Sequence, residues 1–247
     1  MAKLAQDPVE TALNKALPAP EDTVARLYVE LRRMAAGFEF RPSERLNESR
    51  LALHLGASRT PLREALNRLV AEGFLDFRSG QGFFCRALSP EGIFHLYEAR
   101  AAIECAALCA TIERAEDAAI ADLAAYLDRT ETSYVRSTDP IELLEMDETF
   151  HVRLCALAGN PEFDSMLANI NGRIRYVRAI DLKQMRATGA VTERLSAHRR
   201  VLQALVARDG AAATQAMRAH IEKRRDQATE AVRFAFADIY SPKEDAE

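Results

Sequence analysis

Asp147 and His151 stand one helical turn apart in the stretch EMDETFHVRL, in a chain with only 5 histidines. Residues i and i+4 share a helix face, so this carboxylate and imidazole can reach one small object beside it. Buried among apolar neighbours without a partner, both would be costly. Two more histidines join them by counting. His198 lies 12 residues before Gly210 and His220 lies 11 after Asp209. An antiparallel helix pair turning at Asp209-Gly210 therefore sets both roughly 17 Å from the turn, at about 1.5 Å of rise per residue. His198 shares a stripe with Leu195, Leu202 and Leu205, His220 follows Met217 by three, and Asp147 and His151 share theirs with Leu144, Leu154 and Ala158. Three imidazoles and one carboxylate in a helical core form a nitrogen-rich site for a borderline divalent ion: zinc first, with nickel, manganese or iron as alternatives. His54 and His95 join no such set.

Four protein ligands on an ion that accepts five or six leave a position for an oxygen donor. A small organic acid, steadied by a guanidinium, suits it. Arg100 lies on the stripe of Leu96, Ile103 and Ala107, where it either meets such an acid or pairs internally with Glu104 at i+4. Arg178, Asn171 and Tyr97 complete the expected effector set, Arg178 lying nearest the apolar stripe of Phe163, Leu167, Ile170 and Ile174.

These groups need helices to hold them. From Ser89-Pro90 onward the periodicity is helical, with helices expected at 90–114, 117–136, 140–158, 161–184, 189–208 and 211–238. Ser89 is a natural N-cap, and Pro90 fits the first helical position. No strand-like alternation interrupts this run, which predicts an antiparallel bundle.

The first third of the chain is organised differently. A helix over 21–36 carries Val24, Leu27, Tyr28, Leu31 and Met34 at helical spacing; a second runs over 48–55. A third opens at Ser58, has Pro61 in its first turn and ends at Gly73, with Leu62, Ala65, Leu66, Leu69 and Val70 as its core stripe. FLDFRSGQGFFCRAL then gives two short aromatic strands around Ser79-Gly80-Gln81-Gly82. Helix, helix, turn, helix, hairpin is the winged helix-turn-helix layout. Arg59, Thr60, Arg63 and Asn67 project from the start of its third helix, where arginine can pair with guanine and threonine can touch a thymine methyl or a phosphate.

The net charge of -4 conceals an asymmetry: residues 41–86 carry eight arginines against five acids, near +3, which leaves the remainder near -7. The start MAKLAQDPVETALNKALPAP has no secretory pattern and no apolar run approaches a membrane span. A cytoplasmic protein without membrane contact is expected. Cys85, Cys105, Cys109 and Cys155 show no metal-type spacing and are expected as small buried apolar groups without disulfides.

The stretch LNESRLALHLGASRTPLREALNRLVAEGFLDFRSGQGF resembles the winged-helix domain of GntR-type bacterial transcription regulators. That resemblance implies that Arg59, Thr60 and Arg63 read double-stranded operator DNA, with Ser58 and Arg50 beside them and Gly80 at the wing tip. Ala57 replaces a usual valine, Ser43 a usual glycine, and Ser49 stands where some relatives carry an arginine. YEARAAIECAALCA, DETFHVRLCALAGNP and AHRRVLQALVARDGAAATQAMRAHI resemble the FadR-type ligand domain called FCD. Its metal-binding members place their ligands at positions matching Asp147, His151, His198 and His220. The acyl-CoA-binding branch lacks this histidine set, which argues against a long-chain acyl effector.

The sequence thus predicts a mostly α chain: a flexible N-terminal arm over 1–19, a winged helix-turn-helix over 20–86, a linker at 87–90, an all-α metal and effector domain over 91–238 and a tail over 239–247. The expected function is a ligand-responsive regulator, a repressor and homodimer, not an enzyme. A metal that is itself the signal, or a metalloenzyme with a DNA-binding appendage, stands as the alternative.

Overall fold

The structure is a computed structural model, and it describes residues 20–222 and 225–241. The expected N-terminal arm and most of the expected tail lie outside those residues. The described residues divide into two compact units, one of residues 20–35 and 44–86, the other of 36–43 and 87–241 without 223 and 224.

In the first unit, α1 (Pro20–Ala36), α2 (Glu48–His54) and α3 (Arg59–Ala71) precede the strands β1 (Leu75–Arg78) and β2 (Gly82–Cys85). The apolar stripes expected for α1 and α3 point inward: Leu27, Leu31, Leu62, Ala65, Leu66 and Leu69 are fully buried, while Tyr28 and Val70 are only partly so. Asn47 caps α2 by accepting the Arg50 N–H at 3.0 Å. Ser58 occupies the N-cap position of α3 in extended conformation, but its side chain makes no capping hydrogen bond. The strands pair antiparallel, Leu75 opposite Cys85 and Arg78 opposite Gly82. The segment before α2 adds to this hairpin, Leu46 N–H donating to Phe83 at 2.8 Å and Cys85 N–H to Glu44 at 2.8 Å. Ser43 takes a left-handed φ of 63°, the conformation that favours the glycine usual there.

The second unit holds α4 (Pro90–Arg114), α5 (Asp117–Arg136), α6 (Pro140–Ala156), α7 (Pro161–Thr188), α8 (Val191–Val206), α9 (Gly210–Ile221) and α10 (Arg225–Tyr240). Its starts are written in side chains: Ser89 accepts the Gly92 N–H at 3.1 Å, Asp139 that of Ile141 at 2.8 Å, Asn160 that of Glu162 at 3.1 Å and Asp209 that of Ala212 at 3.0 Å. Helix α4 packs against α6, α7, α9 and α10, and α8 lies along α9 as the hairpin through Asp209 requires.

The single helix expected over 211–238 is broken. Glu222 leaves helical geometry at φ -61°, ψ 126°, and α9 and α10 each pack separately on α4. Glycine and proline are both absent from this break, so tertiary packing overrides a continuous local pattern. Helix α7 runs four residues beyond its expected end, to Gly189 at φ 78°. The cysteine expectation needs one correction: all four are free, but Cys109 is exposed, its sulfur 3.7 Å from the Thr214 hydroxyl on α9.

Candidate metal and effector site

Asp147, His151, His198 and His220 meet inside the bundle, with one donor atom from each lying within 4.8 Å of all the others. Helix α6 supplies the first two from adjacent turns, and the α8–α9 hairpin supplies the others. The rings interlock: His151 and His220 are stacked with centroids 5.1 Å apart, His198 meets His220 edge-on at 4.5 Å, and Phe150 stacks on His198 at 4.3 Å.

The protonation pattern suits a cation. Glu104 lies 2.5 Å from His151 Nδ1, so the carboxylate accepts that N–H and leaves the His151 Nε2 lone pair facing inward. His151 Nε2 and His220 Nε2 are 3.1 Å apart. His198 Nε2 lies 3.4 Å from Asp147 yet is buried without a hydrogen bond. Burial lowers the pKa of all three imidazoles; at His220 the neighbouring His198 and Arg194 lower it further. Burial alone would raise Asp147, but Arg194 and Arg178 hold it well below the usual carboxylate range. Neutral imidazoles and an ionised carboxylate are the forms that bind a divalent metal. Ligand bonds of about 2.0–2.2 Å would draw this set in by small side-chain movements. The residues therefore fit a metal.

Metal-free protein should accordingly lose stability in acid. Histidines with depressed folded pKa values contribute fully above the unfolded value of 6.5, and the contribution falls as pH drops from there toward about 4, the value for His151. Each imidazole adds up to about 1.4 kcal/mol per pH unit inside its window. Urea unfolding at pH 7, 6 and 5 measures this; a flat profile would mean that the imidazoles are not neutral and buried.

Arginines crowd the same place. Arg178 pairs with Asp147 and donates to Asn171 at 3.2 Å and Glu148 at 3.1 Å. Arg194 holds Asp147 through a two-pronged fork, Nε at 2.5 Å and Nη2 at 3.1 Å. Arg100 donates from Nε to Glu104 at 2.6 Å, so the internal pair weighed from the sequence forms, while its Nη2 makes no hydrogen bond. Arg178 Nε and the buried Tyr134 hydroxyl likewise make none. Tyr97 is buried in the same domain, and Arg194 is influenced by both Tyr97 and Tyr134.

Arg194, Glu104 and Tyr134 were not expected at the site. Arg194 precedes His198 by four residues, the same helical signal that ties Asp147 to His151, and could have been read from it. Glu104 was legible as a partner of Arg100 but not of His151, which is distant in sequence. Nothing local announces Tyr134.

In the winged unit, Ser58, Arg59, Thr60 and Arg63 are exposed at the start of α3. Arg59 donates to Ser49 at 2.6 Å, and Arg63 lies 3.6 Å from Glu48. Arg50 is exposed on α2, and Gly80 turns the hairpin at φ 72° with open space around it. Arg45 and Gln81 border the same polar groove, which the sequence did not reveal.

A winged helix followed by a helical domain with a buried polar site defines a DNA-binding regulator with a ligand domain. Residues 23–85 match the model of "Bacterial regulatory proteins, gntR family" and residues 95–223 match "FCD domain". The chain belongs to the GntR family of bacterial transcription regulators. It is 39% identical over 213 residues to the Nta operon transcriptional regulator of Aminobacter aminovorans, covering 86% of this chain and 98% of that one. It is 25% identical over 215 residues to the HTH-type transcriptional repressor RspR of Escherichia coli (strain K12), covering 87% and 91%. Its fold is that of a putative GntR regulator structure from Rhodococcus sp. RHA1, at TM-score 0.63 and 23% identity over 84% of this chain and 97% of that one. The E. coli McbR/YncC structure matches at TM-score 0.62 and 19% identity, over 88% and 97%. The Nta operon regulator and RspR are transcription regulators, as the matched gntR family is, which sets the metalloenzyme reading aside. No helix among the described residues is long and apolar enough to cross a membrane.

Proposed function

We propose that this chain is a cytoplasmic, homodimeric repressor that binds operator DNA through α3 and the wing. Its FCD domain holds a divalent metal, zinc first, on Asp147, His151, His198 and His220, and takes a small organic acid that changes operator affinity. The convergence of four donors within 4.8 Å carries this reading. The ion would supply a Lewis-acid anchor for a carboxylate. The protein supplies the rest: Glu104 fixes the His151 tautomer, and Arg100, Arg178, Asn171 and Tyr97 orient the acid. Dimerisation matches the two-fold symmetry of operators read by such helices.

Metal analysis of purified protein, followed by operator titrations with and without metal and acids, tests the reading. His198→Ala is expected to lower metal content and, in metal-replete buffer, thermal stability. Unchanged stoichiometry would remove His198 from the site. Arg63→Ala is expected to weaken specific operator binding by about 1–3 kcal/mol at fixed salt, leaving the fold and metal content intact. Wild-type affinity in that variant would mean that Arg63 reads no base.

A further inference from the structure

The groove at the start of α3 is basic, yet an acid stands in it. Arg45, Arg59, Arg63 and Gln81 line it together with Glu48, the first residue of α2. Each of the two recognition arginines meets a neighbour from α2: Arg59 donates to the Ser49 hydroxyl at 2.6 Å, and Arg63 Nε lies 3.6 Å from Glu48 Oε2. The two pairs differ in charge. Ser49 is neutral, whereas Glu48 sets a carboxylate inside a surface that is to meet a polyanion, and the sequence-independent part of DNA binding is the attraction of cations to phosphates. Its other oxygen, Oε1, lies against the start of β2, 3.6 Å from the point where a Cβ on Gly82 would stand. The Arg63 guanidinium is thus bounded on two sides, by Glu48 at its Nε edge and by the Phe83 ring, whose centre is 5.9 Å from the guanidinium carbon. Neither Nη group of Arg63 has an ion-pair or hydrogen-bond partner among the described residues. With side chains 53% and 24% exposed, the Arg63–Glu48 pair adds little to folding. What it changes is the freedom of Arg63. A long side chain loses rotamer entropy when it docks on a base, and one already held in place loses less.

We propose that Glu48 is a specificity-determining positioning residue of the DNA interface. It holds Arg63 by Nε with both Nη groups free for the O6 and N7 acceptors of a guanine, and its charge weakens binding to duplexes that offer no such guanine. This rests on the reading that α3 meets operator DNA through Arg63, and adds to it a residue that reads no base itself. The carboxylate opposes every duplex through the phosphates but is compensated only where Arg63 finds its guanine. Such a repulsive element separates partners of similar shape.

Fluorescence anisotropy of the full-length protein at fixed salt tests this with two probes: the duplex that the wild-type chain selects from a randomised library, and a random-sequence duplex of the same length. Each base pair of the selected duplex is also replaced in turn. Glu48→Gln is expected to bind the random duplex about threefold more tightly, the scale of an exposed charge interaction. It should also lose about threefold or more of its preference at the guanine position that Arg63→Ala loosens. Added to Arg63→Ala, it should loosen that position no further. Glu48→Asp keeps the charge on a shorter arm, so it should bind the random duplex within about twofold of wild type while losing part of the guanine preference. Circular dichroism and thermal melting check that each variant folds. A uniform loss over all duplexes would make Glu48 a support for α2, and a loss at a position that Arg63→Ala leaves unchanged would make it a reader of its own base. Losses that add to those of Arg63→Ala, or no change with either probe, would mean that it does not act through Arg63. Each of these results overturns the proposal while leaving the DNA interface standing. If the wild type selects no sequence, or Arg63→Ala keeps every base preference, the underlying reading falls and this one with it.

Discussion

Asp147→Ala is expected to destabilise the metal-free bundle by about 3–5 kcal/mol, the range for removing one partner of a buried ion pair. Asp147 is 1% exposed and serves two guanidiniums, Arg178 and Arg194. Removing it leaves Arg178, itself 2% exposed, with only the partly exposed Glu148 and the neutral Asn171. A loss of this size consumes much of the roughly 5–15 kcal/mol that holds a typical protein folded, so the variant should be isolated in low yield or only with stabilising additives. Asp147→Asn keeps the volume and one oxygen acceptor and should lose less. Urea unfolding at pH 7 in the presence of chelator, with unchanged slope, measures both. A loss below 1 kcal/mol for the alanine variant would show that the arginines find other counterions.

Much of the architecture is local information. The starts of α4, α6, α7 and α9 are set by Ser89, Asp139, Asn160 and Asp209, short polar side chains that accept a nearby N–H, and such caps can be read from the residue and its offset. The hairpin between α8 and α9 has a fixed rise per residue, so counting from its turn was enough to bring His198 and His220 to the same height, where their rings meet edge-on. What escaped was non-local. The break at Glu222 has no glycine or proline and follows from how α9 and α10 each dock on α4. The pairing of residues 44–46 onto the wing depends on a return of the chain that no short pattern encodes. In the site, periodicity located the apolar stripes and the histidines on them, but it could not say which charges lie opposite. Glu104 reaches His151 across 47 positions, and Arg194 reaches Asp147 across 47.

Glu104 tests whether that hidden layer tunes the site or only supports it. Its carboxylate is fully buried between Arg100 and His151, and these two cations or donors outweigh burial to hold its pKa low. Glu104→Gln keeps the size of the side chain but removes the charge, so Arg100, 1% exposed, loses its only ion-pair partner among the described residues. A cost of about 3–5 kcal/mol follows from the unpaired guanidinium. At His151 the change is of another kind. A carboxylate makes the ring more basic at Nε2 and fixes the proton on Nδ1; an amide does the first poorly and, if its N–H₂ turns inward, reverses the second. Zinc affinity of the folded protein should therefore fall about 10–100-fold, the range for losing a carboxylate behind a ligating histidine. Glu104→Asp keeps the charge on a shorter arm and should recover part of the stability but less of the affinity, because orientation matters more at the ring than at the guanidinium. Chelator competition, read against urea unfolding on the same preparations, separates the two roles. Reduced stability with wild-type zinc affinity would make Glu104 a counterion for Arg100 and nothing more, whereas loss of both would place it behind His151 as the residue that prepares the ring for metal.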